Sequence, residues 1–252
     1  MKSSIDKMVR RISDILGSCA PAIYLYGSVA LGDFKLGWSD IDILVLTQKP
    51  ISEDQANQLV HLRQMMLAEE PGNPYYRSFE GGMLTINAFL SGGPDRVVYW
   101  GTSGERITTR YVFDSFNMSE LLESGILLYG EDVRERFTRP TYSDLKEDVR
   151  RHYETIRQYA GKTGRELYSY GWLLDISRCI YTLRTGEIIA KTAAGEWALR
   201  EKICPCVDAL TKALAVRKEP MKYRNDARSF DYAETLGEAI QRYADVLKME
   251  LK

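Results

Sequence analysis

Histidine is almost absent from this chain of 252 residues: only His61 and His152 occur, each inside a helical pattern and far from the other. A histidine-rich metal centre is thereby excluded. Cysteine is sparse as well, at four residues, and Cys204 and Cys206 in Cys-Pro-Cys stand too close together for the usual zinc knuckle. Reduced thiols packed as small hydrophobes are expected. Excess charge is also missing, since the formal net charge is −1, and a protein that neutralises a phosphate backbone needs a basic surplus. Nucleic acid is therefore not expected as a partner. No apolar run approaches membrane-spanning length, and Met1 to Arg11 alternates charged and apolar residues without the apolar centre of a signal peptide. These absences predict a cytoplasmic protein that makes no use of a membrane. Internal repeats and low-complexity stretches are lacking too.

What is present is a 44% hydrophobic fraction, enough to build substantial cores. Ile5, Met8, Val9, Ile12, Ile15 and Leu16 recur at helical spacing and predict an amphipathic opening helix that stops at Gly17. Residues 22–26 (AIYLY) and 41–46 (IDILVL) read as strands, with a tight turn and helical segment over 27–34 between them. A helix is expected over about 52–70, with Leu59, Leu62, Met65 and Met66 on one face, ending at Pro71, Gly72 and Pro74. Residues 79–89, 97–100 and 106–113 carry β character, the last two joined by a hairpin turn at Thr102-Ser103-Gly104. Beyond Gly130 the pattern changes, and residues 144–159, 165–185, 192–202, 206–216 and 231–248 all favour helix. The fold class expected is α+β followed by all-α: a mixed β-sheet domain flanked by helices over residues 1–138, then a helical bundle over 139–252.

The segment from Leu25 to Leu46, LYGSVALGDFKLGWSDIDILVL, holds the chemistry. Residues two apart on a strand point to the same side, so Asp40 and Asp42 present two carboxylates together while Ile41 and Ile43 face the other way. Two adjacent carboxylates repel unless a cation lies between them, and magnesium prefers carboxylate and phosphate oxygens. Gly27 permits close backbone approach to phosphate oxygens, and the Ser28 hydroxyl can donate to them. A P-loop is excluded, because Asp33 and Phe34 follow Gly32 where Lys and Ser or Thr are needed. A dinucleotide fingerprint is excluded by the absence of G-x-G-x-x-G at this turn.

Strand, Gly27-Ser28, eleven intervening residues and Asp40-x-Asp42 opening an apolar strand resemble the nucleotidyltransferase superfamily of DNA polymerase β type. Phe79-Glu80-Gly81-Gly82-Met83-Leu84 is similar to the glutamate-bearing strand of bacterial aminoglycoside adenylyltransferases, the spectinomycin and streptomycin resistance enzymes. Residues 175–199, DISRCIYTLRTGEIIAKTAAGEWAL, resemble the carboxy-terminal segment of the same family. The resemblance implies an enzyme that moves a nucleoside monophosphate, AMP from ATP as co-substrate, onto a hydroxyl of a small-molecule acceptor such as an aminoglycoside. It implies Asp40 and Asp42 as Mg2+ ligands, Glu80 as the catalytic base, and Gly27, Ser28, Arg178 and Lys191 as contacts to the nucleotide. The helical domain would then close the cleft between nucleotide and acceptor, in a monomer or homodimer. Tyr223 and Arg224 are secondary candidates for nucleotide contact, and Trp172 and Trp197 are expected as packing aromatics. Two departures stand out: Gly81 and Gly82 follow the glutamate where the family has larger residues, and residues 91–109 have no counterpart. Two other readings compete, a protein-directed nucleotidyltransferase of toxin–antitoxin type and a nucleotide sensor without transfer.

Overall fold

The computed structural model describes residues 1–101 and 104–252. The chain divides into two compact units, Met1–Phe34 with Ser39–Arg139, and Lys35–Trp38 with Pro140–Lys252. The four-residue segment Lys35–Trp38 thus leaves the first unit and packs with the second.

The first unit opens with α1 (Lys2–Leu16), whose Ile5, Met8, Val9, Ile12 and Leu16 are buried. Gly17 continues in a right-handed conformation into a short 3-10 turn, and the left-handed reversal falls at Ala20, φ 50°. Next come β1 (Pro21–Tyr26), the single turn α2 (Gly27–Ala30) and β2 (Ile41–Thr47). The helix α3 (Glu53–Glu69) follows with a capping box: the Ser52 hydroxyl accepts from the Gln55 N–H at 3.2 Å, and the Gln55 side chain accepts from the Ser52 N–H at 3.0 Å.

On α3 the buried stripe is Ala56, Leu59, Leu62, Arg63 and Met66, whereas Met65 is 52% exposed. The expectation for Met65 is corrected by geometry. Positions 59, 62, 63 and 66 are what a 3.6-residue repeat brings to one side, and residue 65 falls off it. The arginine in this stripe is held by polar partners: it donates from Nε to Glu105 at 2.7 Å and from its terminal nitrogens to the carbonyls of Phe79 (2.5 Å) and Gly101 (3.4 Å).

After α3 run β3 (Phe79–Thr85), α4 (Ile86–Ser91), β4 (Val97–Gly101), β5 (Gly104–Thr108), α5 (Ser115–Ser124) and β6 (Ile126–Tyr129). The β run expected to reach Phe89 ends at Thr85, whose hydroxyl accepts from the Ala88 N–H and caps α4. β5 stops at Thr108, so residues 109–113 are not strand. In the expected hairpin turn, Thr102 and Ser103 lie outside the described residues, and β4 and β5 pair antiparallel on either side of them, Gly101 opposite Gly104.

The sheet order is β5-β4-β3-β2-β1-β6. Only β2 and β3 run parallel, α3 making the crossover between them, and the other neighbours are antiparallel. One face, with Ile23, Leu25, Ile41, Ile43, Val45, Met83, Val98 and Trp100, shares a core with α1 and α3. The other carries Ala22, Tyr24, Tyr26, Leu44, Leu46 and Leu84 in a second core with Leu121 of α5 and Phe137.

The second unit is helical: α6 (Tyr142–Tyr159), α7 (Gly171–Thr185), α8 (Lys191–Arg200), α9 (Val207–Lys218), α10 (Pro220–Tyr223), α11 (Ala227–Glu234) and α12 (Gly237–Glu250). Thr141 and Asp144 box the start of α6, and Gly186 ends α7 at φ 76°. The single helix expected over 231–248 is two, α11 and α12. Trp38 is buried within this unit, its ring 5.6 Å from that of Tyr168, with the Arg217 guanidinium 5.7 Å above it. All four cysteines are free thiols. Burial pushes Cys179 and Cys204 up to about 12, consistent with inert packing. No helix among the described residues is long and apolar enough to cross a membrane.

Candidate active site

Strand pairing assembles the site in the first unit. Tyr26 of β1 stands opposite Asp42 of β2, and Asp42 stands opposite Glu80 of β3. Directly paired residues put their side chains on the same side of a sheet, so a tyrosine and two carboxylates form one row. Asp40 lies just before β2, two residues from Asp42, while Ile41 and Ile43 are fully buried in the core behind. Asp40, Asp42 and Glu80 are all half-buried, open enough for a ligand to reach.

Gly27 sits at the β1–α2 junction with φ 64°, and a Cβ there would lie 2.1 Å from Asp42 Oδ2. The Asp42 carboxylate therefore occupies the space that any other residue would fill, and glycine is also what the positive φ favours. The Ser28 hydroxyl donates to the backbone carbonyl of Asp40 at 3.2 Å, tying the turn to the residue that opens β2. Its proton is thus engaged by the protein, a role the spacing did not predict.

The two glycines after Glu80 have separate structural causes. A Cβ on Gly81 would fall 1.8 Å from the Ile43 carbonyl oxygen, and one on Gly82 would fall 2.7 Å from the Tyr111 ring. Tyr111 thus supplies bulk that a larger residue in β3 would otherwise provide. Its hydroxyl hydrogen-bonds that of Tyr26, and burial raises both above the ordinary phenol range, with the nearby Asp42 charge acting in the same direction. A third phenol, Tyr99 of β4, donates to Glu80 Oε1 at 3.0 Å. Burial and the neighbouring Glu80 carboxylate push Tyr99 up as well, so it remains a donor across the neutral range.

Sequence reasoning passed over Tyr26, Tyr99 and Tyr111. Each is an aromatic in or beside a strand, which by itself signals only β structure. Their link to the acids comes from register and from a loop folded over the sheet.

Magnesium fits the donor set. Asp40 and Asp42, two residues apart at the start of β2, offer carboxylate oxygens, and glycine at position 27 leaves room for that of Asp42. Among the described residues no three His, Cys, Asp or Glu side chains converge into a cage. Magnesium is commonly held this way, by one or two carboxylates with phosphate oxygens and water completing its shell.

In the second unit, Arg178 of α7 and Lys191 at the start of α8 gather around Asp175. Lys191 Nζ lies 2.8 Å from Asp175 Oδ1. Burial works against ionisation of Asp175, but Lys191 and Arg178 overcome it and hold the carboxyl below the usual range. Tyr223 packs under two lysines, Lys212 at 4.4 Å and Lys222 at 5.6 Å from its ring. Trp197 meets Tyr181 edge-on at 5.1 Å, a packing contact of the kind expected for it.

A Gly-Ser turn tied to Asp40, with Asp42 and Glu80 paired on adjoining parallel strands, marks the candidate site of the first unit. Residues 5–75 match the nucleotidyltransferase domain, and residues 142–247 match the aminoglycoside adenylyltransferase C-terminal domain. The chain belongs to the nucleotidyltransferases, in the branch whose carboxy-terminal domain is that of the aminoglycoside adenylyltransferases. Among its relatives is spectinomycin 9-adenylyltransferase of Staphylococcus aureus strain Mu50, 22% identical over 199 residues, which span 75% of this chain and 74% of the relative. The enzyme of the same name from strain N315 matches to the same extent. The crystal structure of spectinomycin adenyltransferase AAD(9) from Enterococcus faecialis with ATP and spectinomycin superposes with a TM-score of 0.71 at 17% identity, over 98% of this chain and 99% of that one. This last likeness shows the shared fold.

Proposed function

We propose that the protein transfers AMP from ATP to a hydroxyl group of an aminoglycoside-type acceptor in the cytoplasm, with release of pyrophosphate. The observation that carries this reading is the register of Asp42 and Glu80, which sets two carboxylates, a candidate metal ligand and a candidate base, side by side on the only parallel strand pair of the described sheet.

Glu80 takes the proton of the acceptor hydroxyl as its oxygen attacks the α-phosphorus. The bond from that phosphorus to the bridging oxygen breaks, and pyrophosphate leaves with the negative charge. Asp40 and Asp42 would hold magnesium, which would supply charge neutralisation at the phosphates. Gly27 leaves room for the Asp42 carboxylate against the turn, and Ser28 holds the turn to Asp40. Arg178 and Lys191 are the cations of the helical unit that this reading assigns to the nucleotide, since positive charge stabilises a leaving pyrophosphate. Asp175 pairs with Lys191 and holds its side chain in place. An acceptor rich in ammonium groups suits a site lined by three acids and by phenol oxygens.

The test is incubation with magnesium, ATP and a panel including spectinomycin and streptomycin, following pyrophosphate release and acceptor mass, with Asp42→Asn as control. A mass gain of one adenylate, lost in the control, supports the proposal. Bound ATP with no modified acceptor across the panel would overturn the acceptor class, and turnover unchanged by Asp42→Asn would overturn the site.

A further inference from the structure

Tyr99, on the β4 strand of the hairpin that has no counterpart in the sequence resemblance, contacts the third acid of the site. The Tyr99 hydroxyl donates to Glu80 Oε1 at 3.0 Å. The phenol reaches that oxygen by lying across Gly101: a Cβ on Gly101 would fall 2.3 Å from the Tyr99 hydroxyl oxygen and 2.5 Å from the ring carbon that bears it. On β5, Arg106 stands opposite Tyr99 and stacks its guanidinium 4.3 Å from the ring centre. The ring also lies 6.2 Å from that of Tyr111.

A carboxylate that acts as base has two oxygens and free rotation about its last bond. Left alone, it samples orientations in which neither oxygen faces the acceptor. A donor on one oxygen stops that rotation and leaves the other oxygen to accept the proton.

We infer that Tyr99 is a positioning residue for the transfer reaction: its hydroxyl fixes Glu80 through Oε1 and commits Oε2 to the acceptor hydroxyl, with Gly101 clearing the path and Arg106 clamping the ring. This inference rests on Glu80 being the base of the proposed reaction.

The experiment is a double-mutant cycle on the whole chain, with initial rates of adenylated acceptor measured for wild type, Tyr99→Phe, Glu80→Gln and the pair. Phenylalanine keeps the ring, its stacking and its packing, and removes only the donor. The expected result is a fall in kcat of roughly tenfold to a hundredfold in Tyr99→Phe, the worth of a hydrogen bond to an ionised acceptor, with KM for ATP unchanged. In the Glu80→Gln background the same substitution should then cost nothing further, because there is no base left to orient. Gly101→Ala, which keeps the hydroxyl but crowds the phenol out of its path, should reproduce the kcat loss. A full multiplicative loss in the Glu80→Gln background, or no loss from Tyr99→Phe in the wild type, would overturn the positioning role while leaving Glu80 as base. Wild-type rates in Glu80→Gln itself would instead overturn the base assignment, and this inference with it.

Discussion

Removing the Arg63 side chain tests how the core behind the site is held. Arg63 reaches Glu105 and the carbonyls of Phe79 and Gly101 at once, and the side chains of Arg63 and Glu105 are only 9% and 13% exposed. Arg63→Met deletes every one of those donors while retaining much of the volume. Breaking a buried pair by removing one partner costs ~3–5 kcal/mol, and because Gln64 Nε2 still donates to Glu105 at 3.2 Å the lower end applies. Replacing both partners with apolar residues, Arg63→Met with Glu105→Leu, should recover most of the loss. Hydrogen exchange at the β3 and β4 amides under native conditions reads this in the unit concerned, without assuming one transition for two units. About 3 kcal/mol corresponds to exchange on the order of a hundredfold faster at the most protected amides. The pH dependence has a definite sign. Burial pushes the Glu105 carboxyl up, but Arg63 more than offsets this and leaves it below the ordinary value. A lowered folded pKa gives stability that is fully present above the unfolded pKa and fades as pH falls through the folded one. The gap between wild type and Arg63→Met should therefore be constant near neutrality and narrow in the acid range. Exchange rates within a factor of five of wild type, or a double variant no more protected than the single one, would refute the reasoning.

Gly27→Ala should abolish transfer while costing only about 1–2 kcal/mol in folding from the positive φ, because its Cβ displaces the Asp42 carboxylate; wild-type turnover would refute this, and rates with denaturation midpoints check both halves. Asp132 accepts from Arg134 and Tyr24, and its carboxyl is brought down to about 2 chiefly by the Arg134 side chain. Its contribution is present above the unfolded value of 3.8 and is lost as pH falls toward 2, and a carboxyl titration by NMR with a midpoint near 4 would refute it. Lys191→Met should raise the Asp175 titration midpoint, since burial then acts against Arg178 and His152 only, and should raise KM for ATP about tenfold; an unmoved midpoint argues against the pairing.

The acids that open β2 were legible because their information is local. Asp40 and Asp42 are two residues apart, Ile41 and Ile43 alternate with them, and a period of two says which side each takes. Gly27 before them reads as a turn from composition alone, and the capping box at Ser52 and Gln55 starts α3 where the spacing predicts. Helix α3 also shows where local pattern fails. Hydrophobicity favoured Met65 for the buried face, yet Arg63 lies there, because a charged side chain is admitted to a core once distant carbonyls and Glu105 satisfy it. No short window of sequence contains those partners. The same holds for the missed break between α11 and α12, where Gly237 packs so tightly that a Cβ would lie 2.3 Å from the Gly161 carbonyl oxygen.

The sequence by itself determined the strand that carries Asp42 with Asp40 just before it, the Gly-Ser turn and the change from sheet to helix beyond Gly130. Only the tertiary structure decided that Glu80 stands in register with Asp42, that Tyr99 crosses Gly101 to reach it, that Tyr111 fills the space above Gly82, and that residues 35–38 pack with the helices. The physical reason is that side-chain direction follows from backbone periodicity within one element, whereas register and cross-strand contact depend on how separate elements bury their faces together.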